Sequence, residues 1–78
     1  MSIKPPVFTA AGLFGARVRE RRHELGLSQE ALADRAGLHW TYVGSVERGQ
    51  RNIALYNMLR LASALEIDAA DLVIGLTP

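Results

Sequence analysis

The stretch SQEALADRAGLHWTYVGSVERGQRN, residues 28–52, leaves this chain few folds to choose from, because it spells two short helices around one glycine turn. Ser28 suits the start of the first, since its hydroxyl can accept from an orphan amide in the turn that follows. Ala31, Leu32 and Ala36 then place small apolar side chains on one helical face. Gly37 stands where that helix must stop, and glycine alone enters a left-handed backbone without steric cost. A second helix follows from about Trp40, with Val43 and Val46 on its inner side. Gly49 closes it, and Arg48, Arg51 and Asn52 crowd its end. Two helices this short, joined by so tight a turn, cross steeply. Most of the second is left facing outward, and its polar residues need a partner. The expected partner is the groove of double-stranded DNA.

The chain has 78 residues, which allows one domain whose core is only marginally sufficient alone. It has no cysteine, so neither disulfides nor thiolate metal sites contribute, in keeping with a reducing compartment. A marginal core makes self-association plausible on physical grounds. The formal net charge of +1 hides an uneven split. Residues 1–52 carry eight basic against five acidic residues, a surplus of three, whereas residues 53–78 carry one arginine against three acids. A basic half and an acidic half suggest that one side meets a polyanion. The apolar run from Val7 to Ala16 follows Lys4 but has no cleavage context for a signal peptide. No stretch approaches the length of a membrane span, so a soluble, cytoplasmic protein is expected.

Along the chain, residues 1–8 contain Pro5-Pro6 and read as a flexible, extended arm, leaving residues 9–78 as a single DNA-binding domain. A first helix is expected from Thr9 to about Gly26, with Phe14, Val18 and Leu25 as a thin apolar stripe. Gly12 and Gly15 weaken its first turns and instead permit close packing against another helix. A fourth helix, about Leu55 to Leu65, would bury Leu55, Met58, Leu61, Ala62 and Leu65. Asp68 can cap a last short helix running to about Ile74, from which Leu72 turns inward. The fold class expected is all-α, a compact five-helix bundle.

In LSQEALADRAGL, TYVGSVERGQRNIAL and LRLASALEIDAADL the chain resembles the helix-turn-helix domains of phage repressors and the XRE family. The segment ERGQRN after TYVGSVE is especially similar to the small controller proteins of bacterial restriction–modification systems. The resemblance runs from about Phe14 to Val73. It implies that the exposed start of the third helix reads base edges in the major groove, where each base pair shows a distinct pattern. The residues so placed are Trp40, Thr41 and Ser45, with His39 at the margin.

Phosphate contacts are expected from Gln29, Tyr42, Arg48, Arg51 and Asn52, with Arg17 as a further candidate. Such contacts set register and affinity but not sequence choice. Gln29 matches a repressor glutamine that bonds a phosphate and braces the recognition helix. Arg22 and Glu47 fall where the family places an ion pair tying the first helix to the third. Trp40 departs from the polar or basic residue usual there, and Arg21 departs from an aliphatic one. An indole cannot read guanine, so Trp40 either stacks on sugar and thymine methyls or folds back over the second helix.

One such unit covers few base pairs, so a homodimer on a near-palindromic operator is expected, with half-sites about 10 bp apart or a multiple of that. Val73, Ile74 and Leu76 exceed what the monomer core needs and are the candidate dimer surface; the bland alternative is an apolar tail closing the core. The preferred function is a transcription regulator, specifically the controller of a restriction–modification operon. The alternatives are a phage-type repressor or an antitoxin-like interaction module. No catalysis, cofactor, metal or small-molecule ligand is expected. His23 and His39 lack acid partners at catalytic or metal spacing, and the glycines form no phosphate cradle.

Overall fold

A computed structural model describes residues 4–78; the first three residues of the expected arm lie outside it. The helices are α1 (Thr9–Glu24), α2 (Gln29–Ala36), α3 (Trp40–Glu47), α4 (Leu55–Ala64) and α5 (Ala70–Val73). No strand occurs among the described residues, so the all-α five-helix class holds.

Local chemistry sets the boundaries of the central pair. Ser28 Oγ accepts the Ala31 N–H at 3.0 Å and starts α2. Gly37, at φ +69°, ends it in the left-handed conformation. His39 caps α3, its ring nitrogen accepting the Thr41 N–H. Asp68 Oδ1 accepts the Ala70 N–H at 2.8 Å from one residue before the N-cap of α5, which is Ala69 and not Asp68 as expected.

The core joins every helix: Phe14 and Val18 from α1, Leu32 and Ala36 from α2, Val43 and Val46 from α3, Leu61 from α4 and Leu72 from α5. On α1 the buried positions are Ala11, Phe14, Gly15, Val18 and Arg22. Of the expected stripe, Phe14 and Val18 are buried and Leu25, at the C-cap, packs partly buried against the core, while a glycine and an arginine occupy part of the inner face. Gly15 lies against α3, where an added Cβ would sit 2.2 Å from the Val46 carbonyl oxygen. That is the close approach expected of this glycine, and it sets the distance between the two helices. Leu55 corrects the α4 expectation: at the first helical position it is 68% exposed, and packing against the core begins with Met58.

The described part of the arm lies against the body of the domain. The Val7 N–H donates to the Gly49 carbonyl at 2.8 Å, and the Gln50 amide donates to the Pro5 carbonyl at 2.7 Å. Pro6 fills the space beside Gly12 and Gly49, where an added Cβ at either glycine would come within 2.7 and 2.9 Å of its ring. Residues 5–7 are thus bonded to the turn that follows α3 rather than extended away from it.

Candidate nucleic-acid interface

The outward side of α3 begins at its N-terminus. Trp40 is 49% exposed, and its indole stacks on the His39 ring with centroids 6.0 Å apart. Of the two positions open to Trp40, the structure adds a third, against its own neighbour at the helix start. Thr41 is exposed beside it.

Ser45 is not on that surface. It is 8% exposed, its hydroxyl donates to the Tyr42 carbonyl at 2.7 Å, and its oxygen accepts from Arg51 Nε at 3.1 Å. Thr41 and Ser45 do share a helical face, but the chain after α3 folds back and Arg51 covers the second. The expectation of Ser45 as an exposed base reader is corrected to a residue that positions Arg51. The same Arg51 guanidinium lies over the Tyr42 ring, 5.3 Å from its centroid. Tyr42 is half-buried, and its phenol oxygen accepts from Asn57 Nδ2 at 3.3 Å, which links α3 to α4. Arg48, Arg51 and Asn52 are all exposed around the end of α3.

Beneath this surface lies the brace. Arg22 Nε and Nη2 donate to the two oxygens of Glu47 at 2.6 and 2.8 Å, a bidentate pair whose side chains are 9% and 3% exposed. Arg22 Nη1 also donates to the Leu27 carbonyl at 2.9 Å, and Gln29 Nε2 donates to Glu47 Oε1 at 3.1 Å. One carboxylate therefore ties α1, α2 and α3 together. The Glu47 hydrogen bond raises the Arg22 pKa above the usual arginine value, and burial opposes that rise without cancelling it. The ion pair expected between Arg22 and Glu47 is present, and so is the bracing by Gln29.

Arg17 is engaged with α5 instead of being free on the surface. Its Nη1 donates to the Leu72 and Ile74 carbonyls at 3.3 and 2.7 Å, so it closes the end of α5 on the other side of α1. Arg21 acts alike, donating to the Leu65 carbonyl at 2.9 Å at the end of α4. Arg60 donates to the Gly37 carbonyl at 3.2 Å and lies over Tyr56. None of these three was readable as a helix-end ligand, because each finds its carbonyl far along the chain. Of the candidate dimer residues, Leu76 packs on the core, while Val73 and Ile74 are exposed, Ile74 at 70%.

No helix among the described residues is long and apolar enough to cross a membrane. The control protein C.SmaI of Serratia marcescens is 45% identical over 60 residues, covering 77% of this chain and 71% of that protein. The restriction–modification controller protein C.AhdI of Aeromonas hydrophila superposes with a TM-score of 0.81 at 52% identity, over 83% of this chain and 98% of that one. The P22 c2 repressor, solved with a synthetic operator, superposes at 0.76 with 31% identity over 82% of this chain and 97% of that one. The Helix-turn-helix family matches residues 18–72, Val18 on α1 to Leu72 on α5. Held together by that brace and matched over that span, this chain belongs to the helix-turn-helix family, among its restriction–modification controller proteins.

Proposed function

We propose that this chain is a sequence-specific transcription regulator that binds double-stranded DNA as a homodimer and controls a restriction–modification operon. The observation that carries this reading is the start of α3. Trp40 and Thr41 stand exposed there, while α3 itself is fixed from within by the Arg22–Glu47 pair. A helix held at a set angle with exposed side chains at its N-terminal end is what major-groove readout requires. Arg48, Arg51 and Asn52 at the other end supply donors for phosphates. The likeness to C.SmaI and C.AhdI supports the controller assignment, and the likeness to an operator-bound repressor supports duplex DNA.

Fluorescence anisotropy with duplexes selected from a random pool tests this directly. A dimer neutralising six to ten phosphates should lose roughly a thousandfold or more in affinity between about 50 and 200 mM salt. Arg48→Ala should weaken selected and unrelated duplexes alike and lower the salt slope by about 2, one contact per protomer. Absence of duplex binding at low salt would remove the reading.

Dimerisation rests on Val73 and Ile74, exposed and apolar beside the end of α5. Ile74→Asp leaves the core untouched and should convert a sedimenting dimer to a monomer while preserving the helical circular dichroism signal. An unchanged sedimentation mass would take this surface out of the interface.

A further inference from the structure

At the start of α3 one ring nitrogen has two short neighbours. His39 Nδ1 accepts the Thr41 N–H at 3.2 Å and lies 2.7 Å from Thr41 Oγ1. A nitrogen that accepts a backbone N–H cannot carry a proton itself, so the neutral ring holds its proton on Nε2. The Oγ1 contact is then a hydrogen bond donated by the threonine hydroxyl. Reversing the tautomer would let Nδ1 donate to Oγ1, but the Thr41 N–H would lose its only side-chain cap. Trp40, stacked on the imidazole, helps to hold the ring over the helix start.

A hydroxyl has one proton to give. Thr41 spends its proton on His39, so its oxygen meets the outside as lone pairs only. In the major groove, adenine and cytosine present an exocyclic amine that donates, whereas guanine and thymine present a keto oxygen that accepts. An oxygen without a free proton distinguishes the two.

We propose that His39 fixes the hydrogen-bond polarity of Thr41, so that this end of α3 reads the amine of adenine or cytosine and not the keto oxygen of guanine or thymine. The inference rests on the proposed function, with duplex DNA as partner and α3 in its major groove. His39 is the positioning residue; Thr41 makes the contact.

Duplex selection with the unaltered chain defines the half-site, and selection with Thr41→Val marks the position Thr41 reads. The base found there by the unaltered chain is adenine or cytosine. Replacing it in one half-site by its analogue lacking the amine (nebularine for adenine, 2-pyrimidinone for cytosine) weakens binding roughly 3- to 10-fold, the size of one hydrogen bond. Thr41→Val is indifferent to that replacement. In His39→Gly the helix keeps a serviceable cap, because glycine costs little at that position. The hydroxyl is then free to turn and donate, so the preference for amine over keto bases shrinks to about twofold or less.

Three results overturn the assignment while leaving DNA binding intact: a keto base at that position, no position altered by Thr41→Val, or an amine preference that survives His39→Gly. Failure of the unaltered chain to select any consensus removes the proposed function and this inference together.

Discussion

Glu47→Ala will cost this protein about 3–5 kcal/mol, a large part of the stability available to a domain of this size. The reason is what remains behind rather than what is lost. Arg22 keeps its charge, and its side chain is 9% exposed, so removing Glu47 leaves a buried guanidinium with the Leu27 carbonyl as its one remaining hydrogen-bond partner. Gln29 loses its acceptor in the same step. At about 4–8 °C per kcal/mol for domains this small, the melting temperature should fall by at least about 12 °C. Urea denaturation followed by circular dichroism measures it. A loss under about 1 kcal/mol would place the pair with solvent-screened surface bridges.

The pair cannot be interrogated from the arginine side by pH. The Arg22 pKa is raised in the folded state, so its contribution is fully present below the ordinary arginine range. It is lost only as pH climbs through a value higher still, where the chain as a whole is compromised. Substitution is therefore the informative route, and its converse is informative too. Arg22→Met with Glu47→Leu removes both charges, and a well-packed apolar pair can equal a buried ion pair in stability. If that double variant folds well but loses sequence discrimination, the pair serves the angle of α3 more than the stability of the bundle.

What the sequence made legible here follows the range of each interaction. Ser28 caps a helix through an amide three residues on, Asp68 accepts from an amide two residues on, and Gly37 ends a helix in place, so all three could be read from neighbours in the chain. Arg22 and Glu47 are 25 residues apart and were readable only through resemblance to a family. Arg17 and Arg21 show the opposite outcome. Both look like surface cations in an arginine-rich helix, yet each spends its donors on carbonyls at helix ends 44 to 57 residues on. Much of the basic surplus in the first half of the chain is therefore structural, and the exposed cations near the end of α3 are Arg48 and Arg51.

Ser45 and residues 5–7 meet the same limit of range. Helical periodicity puts Ser45 in line with Thr41 but says nothing of a loop that returns over it. Likewise two prolines argue against a helix over residues 5–7, and none forms there, but they say nothing of where the segment docks. Their docking depends on Gly12 and Gly49 leaving room for Pro6, a match between positions 37 residues apart. The place of Trp40 depends on the His39 ring being held at the helix start as a cap, which the residue types alone do not show.

Gly15→Ala pits two effects of known size against each other. Alanine is a better helix former by about 1 kcal/mol, and Gly15 lies well inside α1. Against this, the new Cβ would stand 2.2 Å from the Val46 carbonyl oxygen and 2.8 Å from that of Glu47. Both are backbone atoms of α3, so no side chain can turn aside to relieve the contact. The helices must part by about an ångström, and overpacking of this kind costs about 1–3 kcal/mol. Arg22 lies two turns further on the same face, so the shift also stretches its bidentate grip on Glu47. The clash should win, with a net loss of about 2 kcal/mol and a drop in sequence discrimination as α3 changes its angle. Gly44→Ala is the control within the recognition helix. There the nearest atoms to an added Cβ are the ends of Arg48 and Gln29 at 3.1 and 3.4 Å, both on flexible side chains. That variant should hold its melting temperature or gain a few degrees, since the helical preference for alanine is then nearly unopposed. If Gly15→Ala proves as harmless as Gly44→Ala, the approach of α1 to α3 is softer than its geometry indicates, and the angle of α3 is set by the Arg22–Glu47 pair alone.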